Sequence, residues 1–402
     1  TDRLTLYRYG DADAAALSDN ALPGRATERA NLVWGAAHTD ASSSVTADLE
    51  LTYGDVTVPT PDAVRLVSRP APTADWANRN SEATITGTTA TLGGQTSFGE
   101  YGLSEPAIYY VDAAATNAGD GSSWASAYSD LQTAINSASG NDEIWIAAGT
   151  YTPTVPLDGS TPRTATFYVD GRQDGLKIYG GFASGDTFAD RDPATKVTVL
   201  SGDLNGDDAD TDGDGIPDSN RGDNAYHVLV FDGGNRIGPD VTANVTTATV
   251  LDGVTVMGGN ADGRSVVAGG GSGGGLYCDG RDSGNVCSPT LTGVAFTGNT
   301  ASGSGGAIYN HGSDGGASSP QVTNATFTGN SAAFDGGAIY NDGSSDGASS
   351  PQITSATFAG NSADKGGAIY NSGGGASSPQ VTNATFTGNS AEDGGAIYNN
   401  GI

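Results

Sequence analysis

The chain has 402 residues, including 62 glycines, and a formal net charge of −29 at pH 7. This acidity disfavours nucleic acid and anionic membranes as partners, because both carry the same sign of charge. The sequence contains no run of about 20 apolar residues, so it predicts no membrane-spanning helix. Its length fits two domains.

The first 104 residues contain no internal repeat and are typical of short strands. Val45, Ala47, Leu49, Leu51 and Tyr53 alternate with polar residues, which indicates a half-buried strand. About 100 residues of this kind predict a β-sandwich over 1–104. The segment 90–103 resembles the closing strands of small sandwich modules in large bacterial surface proteins. Further strands are expected around Leu4, Leu6, Val64, Leu66, Ile85 and Leu92.

Residues 105–160 are predicted to form a cap and the first coil of a second domain, 105–402. Leu131, Ala134, Ile135 and Ala138 have the spacing of an amphipathic helix, which ends by Gly140. We interpret this helix as the cover of the first coil, since an open solenoid end invites aggregation. The phrases Tyr-Val-Asp (110–112), Gly-Ser-Ser-Trp (121–124) and Gly-Thr-Tyr (149–151) resemble the start of many secreted bacterial β-helix proteins.

Irregular coils are predicted over 161–288, and they contain the strongest candidate for a metal site. If Asp210 is position 1 of a calcium loop, Asp212 and Asp214 take positions 3 and 5 and Ile216 offers its carbonyl at 7. Asp218 then takes position 9. Seven aspartates in sixteen residues would repel one another without a cation. The candidate calcium ligands are Asp203, Asn205, Asp207, Asp210, Asp212, Asp214, Ile216 and Asp218.

This loop closely resembles the calcium loops of thrombospondin type 3 repeats. It departs from them at position 12, where Arg221 replaces an acidic residue. Asp203, Asn205, Asp207 or Asp223 could complete the shell, or a second ion could bind. The alternative interpretation is a solvated acidic surface without any ion.

Smaller motifs carry weaker predictions. Cys278 and Cys287 flank a Gly- and Asp-rich loop, which favours a loop-closing disulfide in an oxidising compartment. Arg-Gly-Asp at 221–223 is an integrin-type tripeptide that also recurs by chance. Glycosylation sequons begin at Asn244, Asn324 and Asn383, and the last two, which fall in repeat strands, are expected to serve bends rather than to carry glycan.

Four copies of one phrase dominate residues 289–402. Phe296, Phe327, Phe358 and Phe386 each begin Phe-x-Gly-Asn, lie 31, 31 and 28 residues apart, and are each followed by Gly-Gly-Ala-Ile-Tyr-Asn. A repeat of this length is one supersecondary unit that buries its apolar face only by stacking. Its apolar bursts are strand length and lack helical spacing. The fold class is therefore predicted as all-β, with the sandwich followed by a right-handed parallel β-helix.

Stacking at about 4.8 Å should align equivalent residues into columns. Three inward columns are expected, formed by Val322, Ile353 and Val381; by the four phenylalanines; and by Ile308, Ile339, Ile369 and Ile397. Asn299, Asn330, Asn361 and Asn389 are expected at bends, in left-handed backbone and bonded to one another. The paired glycines should permit tight turns or close approach of coils. Tyr309, Tyr340, Tyr370 and Tyr398 should form an exposed outward ladder, for self-stacking, sugar binding or assembly.

These phrases resemble the repeats of chlamydial polymorphic membrane proteins, over about Pro289 to Ile402. The resemblance implies a surface protein that displays a parallel β-helix. We therefore predict a secreted or cell-surface structural or adhesive protein in an extracellular setting, with calcium as its cofactor. Expected partners are further repeats of a longer chain, other copies in a filament, or surface glycans.

A carbohydrate-binding or carbohydrate-cleaving β-helix is the alternative function. Cleavage needs paired carboxylates or a calcium cluster with a basic residue on the solenoid face. The aspartates of the repeats are expected in loops rather than strands, and His38, His227 and His311 are scattered along the chain. We therefore expect no enzyme activity.

Overall fold

The computed structural model describes residues 106–116, 119–234, 244–263, 270–373 and 377–400 in full, and before residue 106 only the backbone of the strands. The chain divides into two units, Thr1–Ile108 and Tyr109–Ile402. In the described part of both units, the regular secondary structure is mainly β-strand.

The described strands of the first unit form two antiparallel sheets. One sheet has the strand order β1-β2-β8-β4-β5 and the other has the order β3-β7-β6. Strand β3 covers most of the predicted alternating strand, whose ends at Val45 and Tyr53 lie outside the described residues. The strands are β1 Leu4–Tyr9, β2 Arg29–His38, β3 Ala47–Thr52, β4 Arg65–Arg69, β5 Ala77–Asn78, β6 Ala83–Thr86, β7 Thr89–Gln95 and β8 Glu100–Ser104.

The described part of the second unit is built from short strands with one α-helix. The elements that precede the regular repeats are β9 Ile108–Val111, α1 Leu131–Ser137, β10 Glu143–Ala147, β11 Gly149–Tyr151, β12 Phe167–Asp170, β13 Lys177–Phe182, β14 Thr198–Ser201, β15 Leu229–Asp232, β16 Val250–Asp252, β17 Thr255–Met257, β18 Asn260–Ala261 and β19 Leu276–Asp279. Short 3-10 helices cover Trp124–Ser126, Pro162–Thr164, Gly171–Gln173, Phe188–Asp190 and Arg221–Asp223.

The regular repeats supply the remaining strands, three or four to each repeat. They are β20 Thr290–Thr292, β21 Ala295–Thr297, β22 Thr300–Ala301, β23 Ile308–His311, β24 Gln321–Thr323, β25 Thr326–Thr328, β26 Ser331–Ala332, β27 Ile339–Asp342, β28 Gln352–Thr354, β29 Thr357–Ala359, β30 Ile369–Asn371, β31 Gln380–Thr382, β32 Thr385–Thr387 and β33 Ile397–Asn399.

Equivalent strands of successive coils pair in parallel and form long walls. Wall 1 has the order β9-β10-β13-β16-β20-β24-β28-β31, wall 2 has β11-β14-β17-β21-β25-β29-β32, and wall 3 has β12-β15-β19-β23-β27-β30-β33. A short sheet, β18-β22-β26, lies between walls 2 and 3 in chain order. These stacked parallel strands are those of a parallel β-helix-like repeat protein.

The predicted inward columns are confirmed. Wall 1 aligns Val322 with Ile353 and Val381, and wall 3 aligns the four isoleucines. In wall 2 the phenylalanine rings stack face to face, with centroids 5.2, 4.7 and 4.9 Å apart. Phe296, Phe327 and Phe358 are fully buried. One continuous apolar core therefore runs through the coils.

Two asparagine ladders run through this core. Asn299 Nδ2 donates to Asn330 Oδ1 at 3.0 Å, and the same bond continues through Asn361 to Asn389. The asparagines of the Ile-Tyr-Asn phrases form a second ladder, with bonds of 2.6 to 2.8 Å between Asn310, Asn341, Asn371 and Asn399. The predicted amide bonding between coils is thus confirmed, and the second ladder was not predicted.

The backbone at the first ladder differs from the prediction. The left-handed residue is the preceding glycine, Gly298, Gly329, Gly360 or Gly388, with φ between 60° and 65°. Asn324 and Asn383 adopt φ of 54° at the exposed bends between walls 1 and 2. A residue without a Cβ makes the sharper turn, so each ladder asparagine is free to direct its amide into the core.

Helix α1 places Leu131, Ala134 and Ile135 in the same core as the first coils. Its start is fixed by Asp130, whose side chain accepts a hydrogen bond from Thr133 N at 2.7 Å. Gln132 Oε1 accepts from Tyr168 N at 2.8 Å, and Gln132 Nε2 donates to Tyr168 O at 3.2 Å. The helix therefore satisfies backbone groups of β12, the first strand of wall 3.

Candidate metal centre in the acidic loop

The acidic loop lies between β14 of wall 2 and β15 of wall 3 and covers residues 202–228. Its carboxylates form two separate groups rather than one. Within each group, one oxygen of every carboxylate lies within 4.8 Å of the others. The inner group is Asp203, Asp207 and Asp223, and the outer group is Asp210, Asp212 and Asp214.

The inner group is organised around Asp203. Its Oδ1 accepts hydrogen bonds from Gly206 N at 2.7 Å and Asp207 N at 3.2 Å, and its Oδ2 accepts from Asp208 N at 3.1 Å. Gly206 has a φ of 70°, so the chain reverses tightly around this carboxylate. Asp223 joins from the 3-10 helix at the far end of the loop.

The outer group lies within a small hairpin closed by an antiparallel bridge between Ala209 and Ser219. Asp210 accepts from Gly213 N at 2.7 Å and from Gly215 N at 2.8 Å. Both glycines have positive φ, as a sharp calcium-loop turn requires. The backbone amides of Gly215 and Gly213 lower the pKa of Asp210, so this carboxylate is held in its charged form.

Two side chains attach the loop to the coils. Arg221 Nη2 donates to the carbonyls of Gly259 at 3.0 Å and Gly298 at 2.7 Å. Ile216 lies over the turns of two successive repeats, because a Cβ placed on Gly298 or Gly329 would clash with its side chain at 2.5 or 2.2 Å. The Arg-Gly-Asp tripeptide therefore has a structural position against the coils.

The candidate ligands of the sequence divide as follows. The structure brings Asp203 and Asp207 into the inner group, and Asp210, Asp212 and Asp214 into the outer one. Asp218 lies in neither group, and its carboxylate accepts hydrogen bonds from Thr211 N and Oγ1. Asn205 is exposed. Ile216 contributes its side chain to the contact with the repeats and its amide to Asp214 Oδ1 at 2.8 Å.

Asp208 and Asn224 belong to the inner region and were missed by sequence reasoning. Asn224 Nδ2 donates to Asp208 Oδ2 at 2.8 Å. Burial raises the pKa of Asp208, and the charges of Asp203 and Asp223 add to the rise, while Asn224 and Arg221 oppose it. The spacing of Asp203, Asn205 and Asp207 recurs seven residues later at 210, 212 and 214, which is a sequence signal for two acidic groups but not for Asp208 or Asn224.

Cys278 and Cys287 are joined by a disulfide with a Cα–Cα distance of 5.6 Å. Both cysteines are fully buried and belong to the main core. Cys278 aligns with Phe231 in the preceding coil and with Asn310 in the next. The disulfide therefore lies directly before the start of the second asparagine ladder.

The tyrosines of wall 3 stack as predicted but are not an exposed ladder. From Tyr277 through Tyr309, Tyr340 and Tyr370 to Tyr398, neighbouring centroids lie 5.0 to 5.5 Å apart and the ring planes differ by at most 11°. Tyr277 is fully buried and Tyr370 is 5% exposed. Each ring covers the face of the next, so the faces inside the ladder are already occupied.

A polar column lies two residues beyond this ladder, on the same face of wall 3. It aligns Asp170, Asp232, Asp279, His311 and Asp342 in successive coils. Asp342 therefore lies in a strand, whereas the repeat aspartates were predicted to lie in loops. The positions recur from coil to coil, but the residue type at them changes between Asp and His. A search for identical sequence phrases therefore does not find the column.

Hydrogen bonds connect the polar column to the tyrosines. Tyr277 Oη and His311 Nδ1 are 2.6 Å apart, Tyr309 Oη donates to Asp342 Oδ2 at 2.8 Å, and Arg281 Nη2 lies 2.9 Å from Asp279 Oδ2. Burial raises the pKa of Asp279 to about 6; Arg281 opposes the rise and the charge of Asp232 adds to it. Asp232 and Asp279 are both fully buried. The column is thus a buried polar network.

Comparison with known proteins identifies the repeats. The Chlamydia polymorphic membrane protein repeat matches residues 293–311, 324–342, 355–372 and 383–400. The resemblance seen in the sequence is therefore confirmed for these segments. The comparison with curated proteins gave no significant match.

Among solved structures, a rhamnogalacturonan lyase is similar at 11% identity, over 69% of this chain and 87% of that chain, with a TM-score of 0.26. A similarity this weak carries no argument about activity.

Among the described residues, no helix is both long and apolar enough to cross a membrane.

Proposed function

We propose that this chain is a secreted or cell-surface structural element with an adhesive role. The observation that carries the proposal is the match of four stacked coils to a repeat of polymorphic membrane proteins. The phenylalanine, isoleucine and asparagine side chains of these coils contact the equivalent side chains of the next coil, so their role is to hold the stack together. Such a scaffold acts by display of its surface rather than by turnover. The buried disulfide fits an oxidising compartment.

Within this scaffold we assign helix α1 the role of a cap. Its apolar face and Gln132 cover groups that a neighbouring coil would otherwise cover. A solenoid needs such a cover because open strand edges recruit other strands.

We also propose that the outer group, Asp210, Asp212 and Asp214, binds calcium. Three carboxylates within reach of one another and two left-handed glycines suit a hard cation that takes six to eight oxygen ligands. A bound ion would stabilise the native chain by mass action. Chelation should therefore lower the melting temperature and expose the hairpin to protease; an unchanged melting curve and cleavage pattern would mean an acidic surface without an ion.

A carbohydrate-directed function receives less support from the geometry. Sugars bind to the open faces of aromatic rings, and the stacked tyrosines offer mainly edges and hydroxyls. The paired carboxylates Asp232 and Asp279 are buried, so a polysaccharide would have no access to them.

The adhesive role is tested by presenting the full chain to arrays of glycans and matrix proteins, with and without calcium. Saturable binding to at least one surface component without chemical change of that component is the expected result. Release of shortened or unsaturated saccharides would overturn the proposal in favour of an enzyme.

A further inference from the structure

Three side-chain oxygens at the base of the acidic loop are buried without a hydrogen-bond donor among the described residues. They are Asp208 Oδ1, Asp223 Oδ2 and Asn224 Oδ1. Asn224 is 0% exposed. Its Nδ2 is fixed by Asp208 Oδ2 at 2.8 Å and by the carbonyl of Gly258 at 2.6 Å. Its oxygen is therefore held in place beside Asp208 without a partner of its own.

Carboxylates lie around these oxygens, and one buried donor, Arg221 Nε, also lacks a partner among the described residues. The carboxylates of Asp203, Asp207 and Asp223 lie within 4.8 Å of one another. Arg221 is the nearby cation: its Nη2 donates to the carbonyls of Gly259 and Gly298, and its single positive charge faces the three carboxylates of the inner group as well as Asp208. A buried acceptor without a donor destabilises a protein, and several of them together call for an ion or water that supplies what the chain lacks.

We propose that Asp203, Asp207 and Asp223, with the oxygens of Asp208 and Asn224 beside them, bind a second divalent cation of the calcium class. This inference deepens the calcium binding proposed for the loop, and the site is separate from that of Asp210, Asp212 and Asp214. Calcium holds its oxygens at about 2.3–2.6 Å, so two ligands of one ion lie up to about 5 Å apart. The spacing of the inner carboxylates fits this limit.

A divalent cation neutralises and coordinates the oxygens of this region better than a water molecule does. A water molecule supplies two hydrogens and no charge, whereas three carboxylates lie within 4.8 Å of one another here, and Asp208 and Asn224 each add a buried oxygen without a donor. Calcium accepts carboxylate and carbonyl oxygens together, which is the donor set present here.

The inner ion would hold the loop against the coils. Asn224 donates to the carbonyl of Gly258, and Arg221 donates to the carbonyls of Gly259 and Gly298. The segment that holds the inner group is therefore hydrogen-bonded to the turns after β17 and β21. The outer hairpin contacts the coils through the apolar side chain of Ile216, and the hydrogen bonds of Asp210 lie within the hairpin itself. Loss of the inner ion should therefore lower the melting temperature more than loss of the outer ion.

The test is calcium titration of the full, metal-depleted chain by isothermal calorimetry. Asp223→Asn and Asp208→Asn change the inner site with little change of shape. Asp212→Asn changes the outer site, and Asp364→Asn, at an exposed aspartate of a repeat, controls for loss of charge. Circular dichroism and a melting curve in calcium accompany each variant.

We expect Asp223→Asn to weaken one calcium-binding event at least tenfold, which corresponds to about 1.4 kcal/mol. That same event should persist in Asp212→Asn and Asp364→Asn. If Asp223→Asn and Asp208→Asn both bind calcium like the unchanged chain, the inner site is refuted, and an event lost only in Asp212→Asn would leave the outer site standing.

A second measurement covers the case in which the inner variants do not fold. A crystal structure of the unchanged chain grown in calcium should show an ion coordinated by Asp203, Asp207 and Asp223. Density for water alone at this position would overturn the inference.

Discussion

Asn299 and Asn330 are 31 residues apart in the chain and are joined inside the core by a bond of 3.0 Å from Nδ2 to Oδ1. Asn330 Oδ1 also accepts from Asn299 N, and Asn330 Nδ2 donates to the carbonyl of Phe296. One amide thus satisfies backbone and side-chain groups of the preceding coil. The ladder makes each coil depend on the next for its buried polar groups as well as for its apolar packing.

The first prediction concerns this ladder. Asn330→Leu should lower the free energy of unfolding by about 3–5 kcal/mol, because it leaves several buried backbone and amide groups without partners. Urea denaturation measures the change. Asn324→Gly is the matched control, since Asn324 is exposed at a φ of 54° that glycine adopts freely. A similar loss in both variants would show that the ladder is not a special source of stability.

The second prediction compares the two aromatic columns. Phe327→Ala should cost about 3–5 kcal/mol, because the ring is fully buried and stacked on both faces. Tyr340→Ala should cost less, since this ring is half-buried, but more than an exposed residue would, because it also stacks on both sides. Denaturation midpoints of the two variants decide the order. A larger loss for Tyr340→Ala would contradict the assignment of inner and outer columns.

The third prediction uses two equivalent glycine turns. Gly329 and Gly360 have φ of 60° and 65°, but only at Gly329 would a Cβ meet Ile216, at 2.2 Å. Both alanine variants should show similar backbone strain. Gly329→Ala should additionally displace the acidic loop and speed its cleavage by protease, whereas Gly360→Ala should not. Equal cleavage rates would contradict the packing of Ile216 on this turn.

The fourth prediction concerns pH. Burial raises the pKa of Asp279 to about 6 in the folded chain, above its ordinary value of about 4. Between about pH 4 and pH 6 the native state therefore holds a proton that the unfolded state has released. This carboxyl should therefore favour folding below about pH 4 and progressively lose that contribution as pH rises through about 6. Asp279→Asn should flatten the pH dependence of unfolding between these values.

Asp346→Asn, at an exposed aspartate, is the control for the pH experiment. The ionisable groups around Asp279 are Asp232, Arg281 and His311. An unchanged pH profile in Asp279→Asn would assign the dependence to those neighbours instead.

The columns of the regular repeats could be predicted because the same residue types recur at a fixed period. Phe296 and Phe327 align in space because their phrases align in sequence. The structure of the earlier coils could not be predicted in this way. Asp232 and Asp279 align across irregular coils of different length, and Asp223 reaches Asp203 across a loop of twenty residues.

The low exposure of the tyrosine rings also could not be predicted from the sequence. Strand alternation places Tyr309 opposite the inward Ile308, but it does not show that rings in neighbouring coils cover one another. Likewise, the sequence left open whether the acidic segment binds one ion or two, and the folded backbone separates its carboxylates into two groups.

The central proposal is display of this scaffold on the outside of the cell. The most direct measurement is labelling of intact and permeabilised cells of the source organism with an antibody against residues 289–400. Equal labelling of intact and permeabilised cells, removed by treating intact cells with protease, is the result we predict for a surface protein. Labelling that requires permeabilisation, with no protein in the medium, would contradict the account.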